Sequence, residues 1–124
     1  MYKQKNSCIQ TGKTGEDIAS EYLLSKGLQI LGRNIRTPFG EIDILCEEGE
    51  CLVFLEVKTR RTKQFGFPED AVTHSKQEHM FNSALAYLQE HDTLDRTWRI
   101  DVIAINLAVE SLPEIQWFKN AITC

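Results

Sequence analysis

Residues 40–60 read GEIDILCEEGECLVFLEVKTR, and the alternation within them decides the architecture. From Gly40 to Cys46 the side chains alternate, with Glu41, Asp43 and Leu45 on one side and Ile42, Ile44 and Cys46 on the other, the period of a strand. Glu47-Glu48-Gly49-Glu50 supplies turn chemistry. Cys51 to Thr59, rich in Leu, Val and Phe, is a second strand, so the two form an antiparallel hairpin. Two charges, Glu56 and Lys58, interrupt this apolar strand, and period-two geometry puts them on one face with Cα atoms about 6.5–7 Å apart.

The turn sets what lies opposite them. A turn centred on Glu48-Gly49 and one centred on Gly49-Glu50 are both open. In either register Glu41 and Asp43 reach the face that carries Glu56 and Lys58, because directly paired residues point to the same side. Opposed side chains lie ~5 Å apart and diagonal ones ~7–8 Å apart, so Asp43 and Glu56 come within reach of one shared cation. Like charges this close raise each other's pKa and cost stability, unless a divalent ion binds or the face is open to water. Mg²⁺ suits such carboxylates, since it takes one or two of them and completes its shell with waters and phosphate oxygens. A metal beside a lysine points to phosphoryl chemistry: the ion polarises the phosphoryl oxygen and activates water, while Lys58 orients the nucleophile or stabilises developing charge. The competing reading is a solvated hairpin face with an internal salt bridge. It fits less well, because Leu52, Val53, Phe54, Leu55 and Val57 mark a strand covered on both faces.

Upstream of this hairpin, Thr14 with Asp17 makes a capping-box-like start, and Ile18, Ala19, Tyr22 and Leu23 recur at helical spacing until Gly27 stops the helix. Leu28 to Arg36 reads as a strand with bulge or edge character at Gly32. Downstream, Lys58, Arg60, Arg61 and Lys63 crowd the strand exit. Ser75 with Glu78 caps a second helix, whose Phe81, Ala84, Leu85 and Leu88 form one stripe. Trp98 to Leu107 predicts a buried strand and Ile115 to Phe118 a short last one after Pro113. The order is α-β-β-β-α-β-β, an α/β fold with a mixed central sheet flanked by helices.

At 124 residues and 42% apolar composition, the chain reads as one globular domain, with residues 1–12 as a flexible N-terminal arm. The longest apolar runs, Leu52 to Leu55 and Val102 to Ile105, are far below the ~20 residues of a membrane span. No apolar segment follows the N-terminal lysines, so a cytoplasmic protein is expected. The cysteines at 8, 46, 51 and 124 lack paired spacing, and the histidines at 74, 79 and 91 complete no zinc set. Cys46 and Cys51 read as small buried thiols. A net charge of −4 argues against a protein that simply coats nucleic acid. The total hides a pattern: +3 over residues 1–40, −5 over 41–50, +1 over 51–80 and −3 over 81–124. Positive charge flanks the acidic hairpin. Arg33, Arg36, Arg60 and Lys76, with Arg61 and Lys63, are candidates for a phosphate-contacting rim.

Gly40-Glu41-Ile42-Asp43, followed after twelve intervening residues by Glu56-Val57-Lys58, resembles the D…(D/E)-x-K signature of the restriction-endonuclease-like, PD-(D/E)XK, nucleases. Ile42 stands where that signature often has proline. Gly15-Glu16-Asp17-Ile18-Ala19, Arg33-Asn34-Ile35-Arg36, the stretches around Asp43 and Lys58, Lys76, Arg99 with Asp101, and Asn120-Ala121 together resemble the bacterial YraN-like family over nearly the whole chain. The resemblance implies a restriction-endonuclease-like fold similar to that of archaeal Holliday-junction resolvases. It implies Asp43 and Glu56 as metal ligands for Mg²⁺ or Mn²⁺, Lys58 as the catalytic lysine, and Glu16 on the first helix as a further ligand. DNA, branched or flapped, is the substrate it suggests, with a homodimer and repair or recombination proteins as partners.

Each feature also has a plainer reading. Glu41 at its strand start can simply face solvent, and Glu16 complements a helix dipole. Phe65-Gly66-Phe67-Pro68 either stacks on an unpaired base or pins its own loop to the core. Arg99 and Asp101 read as a structural pair. Gly12-Lys13-Thr14 is no phosphate loop, because Ser7 stands where that motif needs glycine. Beside the nuclease stand two other function classes: a non-catalytic nucleic-acid-binding module, and a protein-interaction module on the same fold.

Overall fold

The computed structural model describes residues 7–61, 73–107 and 112–122, with side chains from residue 15 onward. Along the chain run α1 (Ser7–Ser25), β1 (Gln29–Thr37), β2 (Gly40–Glu48), β3 (Cys51–Arg60), α2 (His74–Glu90), β4 (Trp98–Asn106) and β5 (Glu114–Ile122). The expected order is the observed one. The strands form one sheet in the order β1-β2-β3-β4-β5. Only the β3–β4 pair is parallel, and α2 lies in the connection that such a pair requires.

The helices cover opposite faces. Ala19 and Leu23 of α1 pack with Ile44, Cys46, Val53, Leu55, Ile103 and Ile105. Ala84 and Leu88 of α2 pack with Ile42, Leu45, Leu52, Phe54, Ile100 and Val102. Residues 52–56 are therefore buried on both sides, which explains why β3 reads as a nearly continuous apolar run.

Local chemistry sets several ends. Gly27 (φ 93°) closes α1: its N–H bonds Leu24 O at 3.0 Å, and the Leu28 N–H bonds Leu23 O at 3.1 Å, the paired bonds of a Schellman end. The break at Gly32 is a register shift between Ile30 and Gly32 in the β1–β2 ladder.

Four boundaries and one facing differ from the sequence reading. The first helix starts at Ser7, so Thr14 lies inside it and caps nothing, and residues 7–12 of the expected arm are helical. Thr73, not Ser75, caps α2, its hydroxyl accepting the Lys76 N–H at 3.2 Å. The last strand runs to Ile122, because Asp101 accepts the Asn120 N–H (2.7 Å) and holds the chain against β4 through an irregularity there. The second strand extends through Glu48, leaving Gly49-Glu50 as the turn. Ile42 packs on the α2 side with Leu45, not with Ile44, so β2 departs from strict alternation at Asp43. The aromatic loop at 65–68, Lys63 and Cys124 lie outside the described residues, and so does the side chain of Cys8. Cys46 and Cys51 are both free thiols; Cys46 is buried and Cys51 half-buried.

Candidate functional site

The β2–β3 pairing has Glu48 opposite Cys51 and Ile44 opposite Leu55, the register centred on Gly49-Glu50. Continued by one step, it sets Asp43 against Glu56. There the backbone ladder stops, and a side chain makes the next bond: the Val57 N–H donates to Asp43 Oδ2 at 2.8 Å. The departure of β2 from alternation at Asp43 is thus paired with a carboxylate in place of a main-chain carbonyl.

Asp43 is the most perturbed acid of the site. Burial first and the neighbouring Glu56 second push its carboxyl up to about 7, against the lowering effect of the Val57 N–H; Glu16 and Glu41 add smaller upward contributions. Glu56, 8% exposed, is met by two ammonium groups at one oxygen: Lys76 Nζ at 3.1 Å and Lys58 Nζ at 3.8 Å from Oε2. Burial and the Lys76 charge push Lys58 below the usual lysine range, while Glu56 raises Lys76. Around the acids opens a cavity of about 310 Å³ lined by Phe39, Glu41, Asp43, Glu56, Lys76 and His79, with Met80 and Ser83 of α2.

The site is held from three directions. In the β1–β2 turn the Thr37 hydroxyl bonds Gly40 O (2.8 Å) and Ser83 Oγ (3.1 Å), and receives the Phe39 N–H, which clips the start of β2 to α2. On the α1 side Glu16 accepts from the Asn34 amide at 3.2 and 3.3 Å and pairs with Arg33 at 3.5 Å. Asn34 itself sits at φ 52°, a conformation asparagine tolerates better than most residues. Arg33 also bonds Asp17 at 2.9 Å.

Of the sequence candidates, Asp43, Glu56 and Glu41 line one hollow, and Lys58 stands beside it, 3.8 Å from Glu56 Oε2. Glu16 lies close enough to act on Asp43 through space while its oxygens engage Asn34 and Arg33. Among the proposed rim cations, Arg36 is 88% exposed beside Glu41, Arg60 is half-buried, and Lys76 reaches into the hollow. Sequence reading missed the Thr37–Ser83 clip and the Phe39 and His79 walls, which depend on long-range packing. Two signals were available: a lysine in the first turn of a helix opposes the dipole, and an asparagine inside a strand invites positive φ.

The remaining hairpin acids serve the frame. Glu47 pairs with Arg96 at 3.0 Å and Glu48 with Arg99 at 2.7 Å, and the Arg99 bond holds the Glu48 carboxyl below its usual range. Asp101, fully buried, takes Arg99 Nε at 3.0 Å and the Trp117 indole N–H at 2.9 Å, the structural pair that was expected.

A mixed five-stranded sheet between two helices, with an acid on the second strand facing an E-x-K on the third, defines the restriction-endonuclease-like class of architecture. The chain belongs to the uncharacterised protein family UPF0102, the YraN-like family, whose model matches residues 15–105. A UPF0102 protein of Syntrophotalea carbinolica is 48% identical over 91% of this chain and 91% of its own. One from Thermodesulfovibrio yellowstonii is 47% identical over 79% and 87%, and one from Geobacter sulfurreducens 44% identical over 89% and 86%. A Pyrococcus furiosus SfsA structure in complex with Ca²⁺ aligns at a TM-score of 0.37 and 13% identity, covering 94% of this chain and 65% of that one, a likeness too slight to inform the site.

Among the described residues, no three His, Cys, Asp or Glu side chains gather as a metal-holding group, and no helix is long and apolar enough to cross a membrane. What the hollow offers is a pair of hard carboxylates. That donor set fits Mg²⁺ or Mn²⁺, ions that keep several waters and accept a substrate oxygen.

Proposed function

We propose that the protein is a metal-dependent phosphodiesterase acting on DNA, with Asp43 and Glu56 holding Mg²⁺ or Mn²⁺. The observation that carries this reading is that Asp43 and Glu56 line one open cavity, where burial and the neighbouring Glu56 hold the Asp43 carboxyl near 7. When bound, the ion supplies charge neutralisation at the phosphoryl oxygen and makes its water more acidic. The chain's own groups do the rest. The Val57 N–H fixes the Asp43 carboxylate, and Lys58, beside Glu56, presents its nitrogen where it orients the attacking water or steadies developing charge. Arg36, on the exposed side of Glu41, and Arg60 at the end of β3 supply a local phosphate rim on an acidic protein.

The test is incubation of the purified chain with junction, flap and single-stranded DNA in Mg²⁺ or Mn²⁺. The expected result is cleavage that Asp43→Ala or Glu56→Ala lowers about 100-fold or more, with Lys58→Met losing a similar factor. Cleavage that survives these changes would remove the assignment. A second reading, a binding module without turnover, draws on the neutralisation of Glu56 by two lysines. Salt-dependent DNA binding with no metal-dependent cleavage would favour it.

A further inference from the structure

Glu56 Oε2 faces two ammonium groups that come from different elements. Lys58 stands two residues along the same strand, whereas Lys76 crosses the cavity from the first turn of α2 and makes the shorter contact, 3.1 Å against 3.8 Å. Lysine is poorly placed there by helix electrostatics, because the positive end of the dipole repels it, and α2 has no acid in its first turn to offset this. Its placement is compensated by Glu56 instead. The Thr73 hydroxyl, capping the Lys76 N–H, fixes the turn from which the side chain reaches out.

We propose that Lys76 is an internal occupant of the cation position. Its ammonium balances the carboxylates while no ion is bound, must leave Glu56 Oε2 when a divalent ion arrives, and is then free to take a non-bridging phosphate oxygen of the substrate. This rests on the reading of Asp43 and Glu56 as metal ligands. Two consequences follow from linkage. With Lys76 on Glu56 the protein takes up metal poorly, and a phosphodiester that draws Lys76 away favours the state that binds metal well. Metal and phosphodiester therefore strengthen each other's binding, by the same factor in both directions. The Lys76 side chain is 42% exposed at the cavity wall, so packing does not lock it onto Glu56.

The test is calorimetric titration of the full chain with Mn²⁺, alone and with a nuclease-resistant phosphorothioate oligothymidylate. Wild type is compared with Lys76→Met and Lys76→Arg after circular dichroism shows that each is folded. Lys76→Met is expected to bind Mn²⁺ about tenfold more tightly without DNA, the order expected for removing one partly screened charge from the neighbourhood of a divalent ion. Lys76→Arg should stay close to wild type. The oligonucleotide should tighten Mn²⁺ binding to wild type by a larger factor than it does to Lys76→Met, which lacks the part of the coupling that Lys76 carries. Equal or weaker Mn²⁺ binding by a folded Lys76→Met overturns the proposal while the metal reading stands. Absence of Mn²⁺ binding in both wild type and Lys76→Met overturns the metal reading and the role of Lys76 with it.

Discussion

Asp43 shows how one residue serves both fold and site. Its Oδ2 replaces a backbone acceptor for the Val57 N–H, yet burial and Glu56 keep the group near 7 rather than at its ordinary 3.8. A carboxyl raised in this way holds a proton in the folded chain between those two values and not in the unfolded one. Its contribution to stability is therefore greatest below about pH 4, falls as the pH climbs through that window, and stays at a constant deficit above about 7. Asp43→Asn should remove the deficit. In thermal scans without divalent ions, the variant should exceed wild type at pH 8 by the equivalent of about 1–3 kcal/mol, and the gap should close near pH 4. A gap independent of pH would mean that Asp43 carries no such strain. Cys46, pushed to about 12 by burial, has no accessible thiolate and belongs to the core.

At the scale of elements, α1 lies close against β3 at Gly15. A Cβ added to Gly15 would collide with the Thr59 hydroxyl and press on the rest of that side chain, so alanine there forces Thr59 to shift. This contact sets α1 on the strand end that carries Lys58, with Glu16 one residue beyond it. Gly15→Ala should cost about 1–3 kcal/mol in denaturant unfolding, and Thr59→Ala in the same chain should recover part of that loss. Additive losses would show that the approach is looser than described. The hairpin and the facing of Ile44, Leu45 and Cys46 were readable because a period of two and a short turn are local properties: Gly49 and the strand alternation already limited the register to two choices. Other features were not readable for the complementary reason. Ile42 faces α2 because β2 yields where Asp43 takes over a backbone bond. Lys76 enters the hollow because α2 packs across the sheet. The nine-residue β5 depends on Asp101 gripping Asn120 from another strand. None of these is a property of a short window of sequence.

For the whole molecule, the proposed function requires that an acidic protein meet a polyanion. The net charge is −4, and the hollow is lined by Glu41, Asp43 and Glu56 with Lys76, so a phosphodiester approaching without a cation meets three carboxylates. Ca²⁺, which occupies oxygen sites of this kind, should therefore tighten DNA binding in fluorescence anisotropy relative to EDTA, by about tenfold or more at low salt. The gain should vanish in Asp43→Asn with Glu56→Gln. DNA binding that is equally strong in EDTA would place the contact elsewhere, on a basic surface away from the hollow. If Asp43 and Glu56 share one ion, anomalous scattering from crystals soaked in Mn²⁺ will locate it. A single strong peak is expected between the two carboxylates, with Lys76 withdrawn from Glu56. Well-ordered side chains with no peak there, and Lys76 still in place, would contradict it.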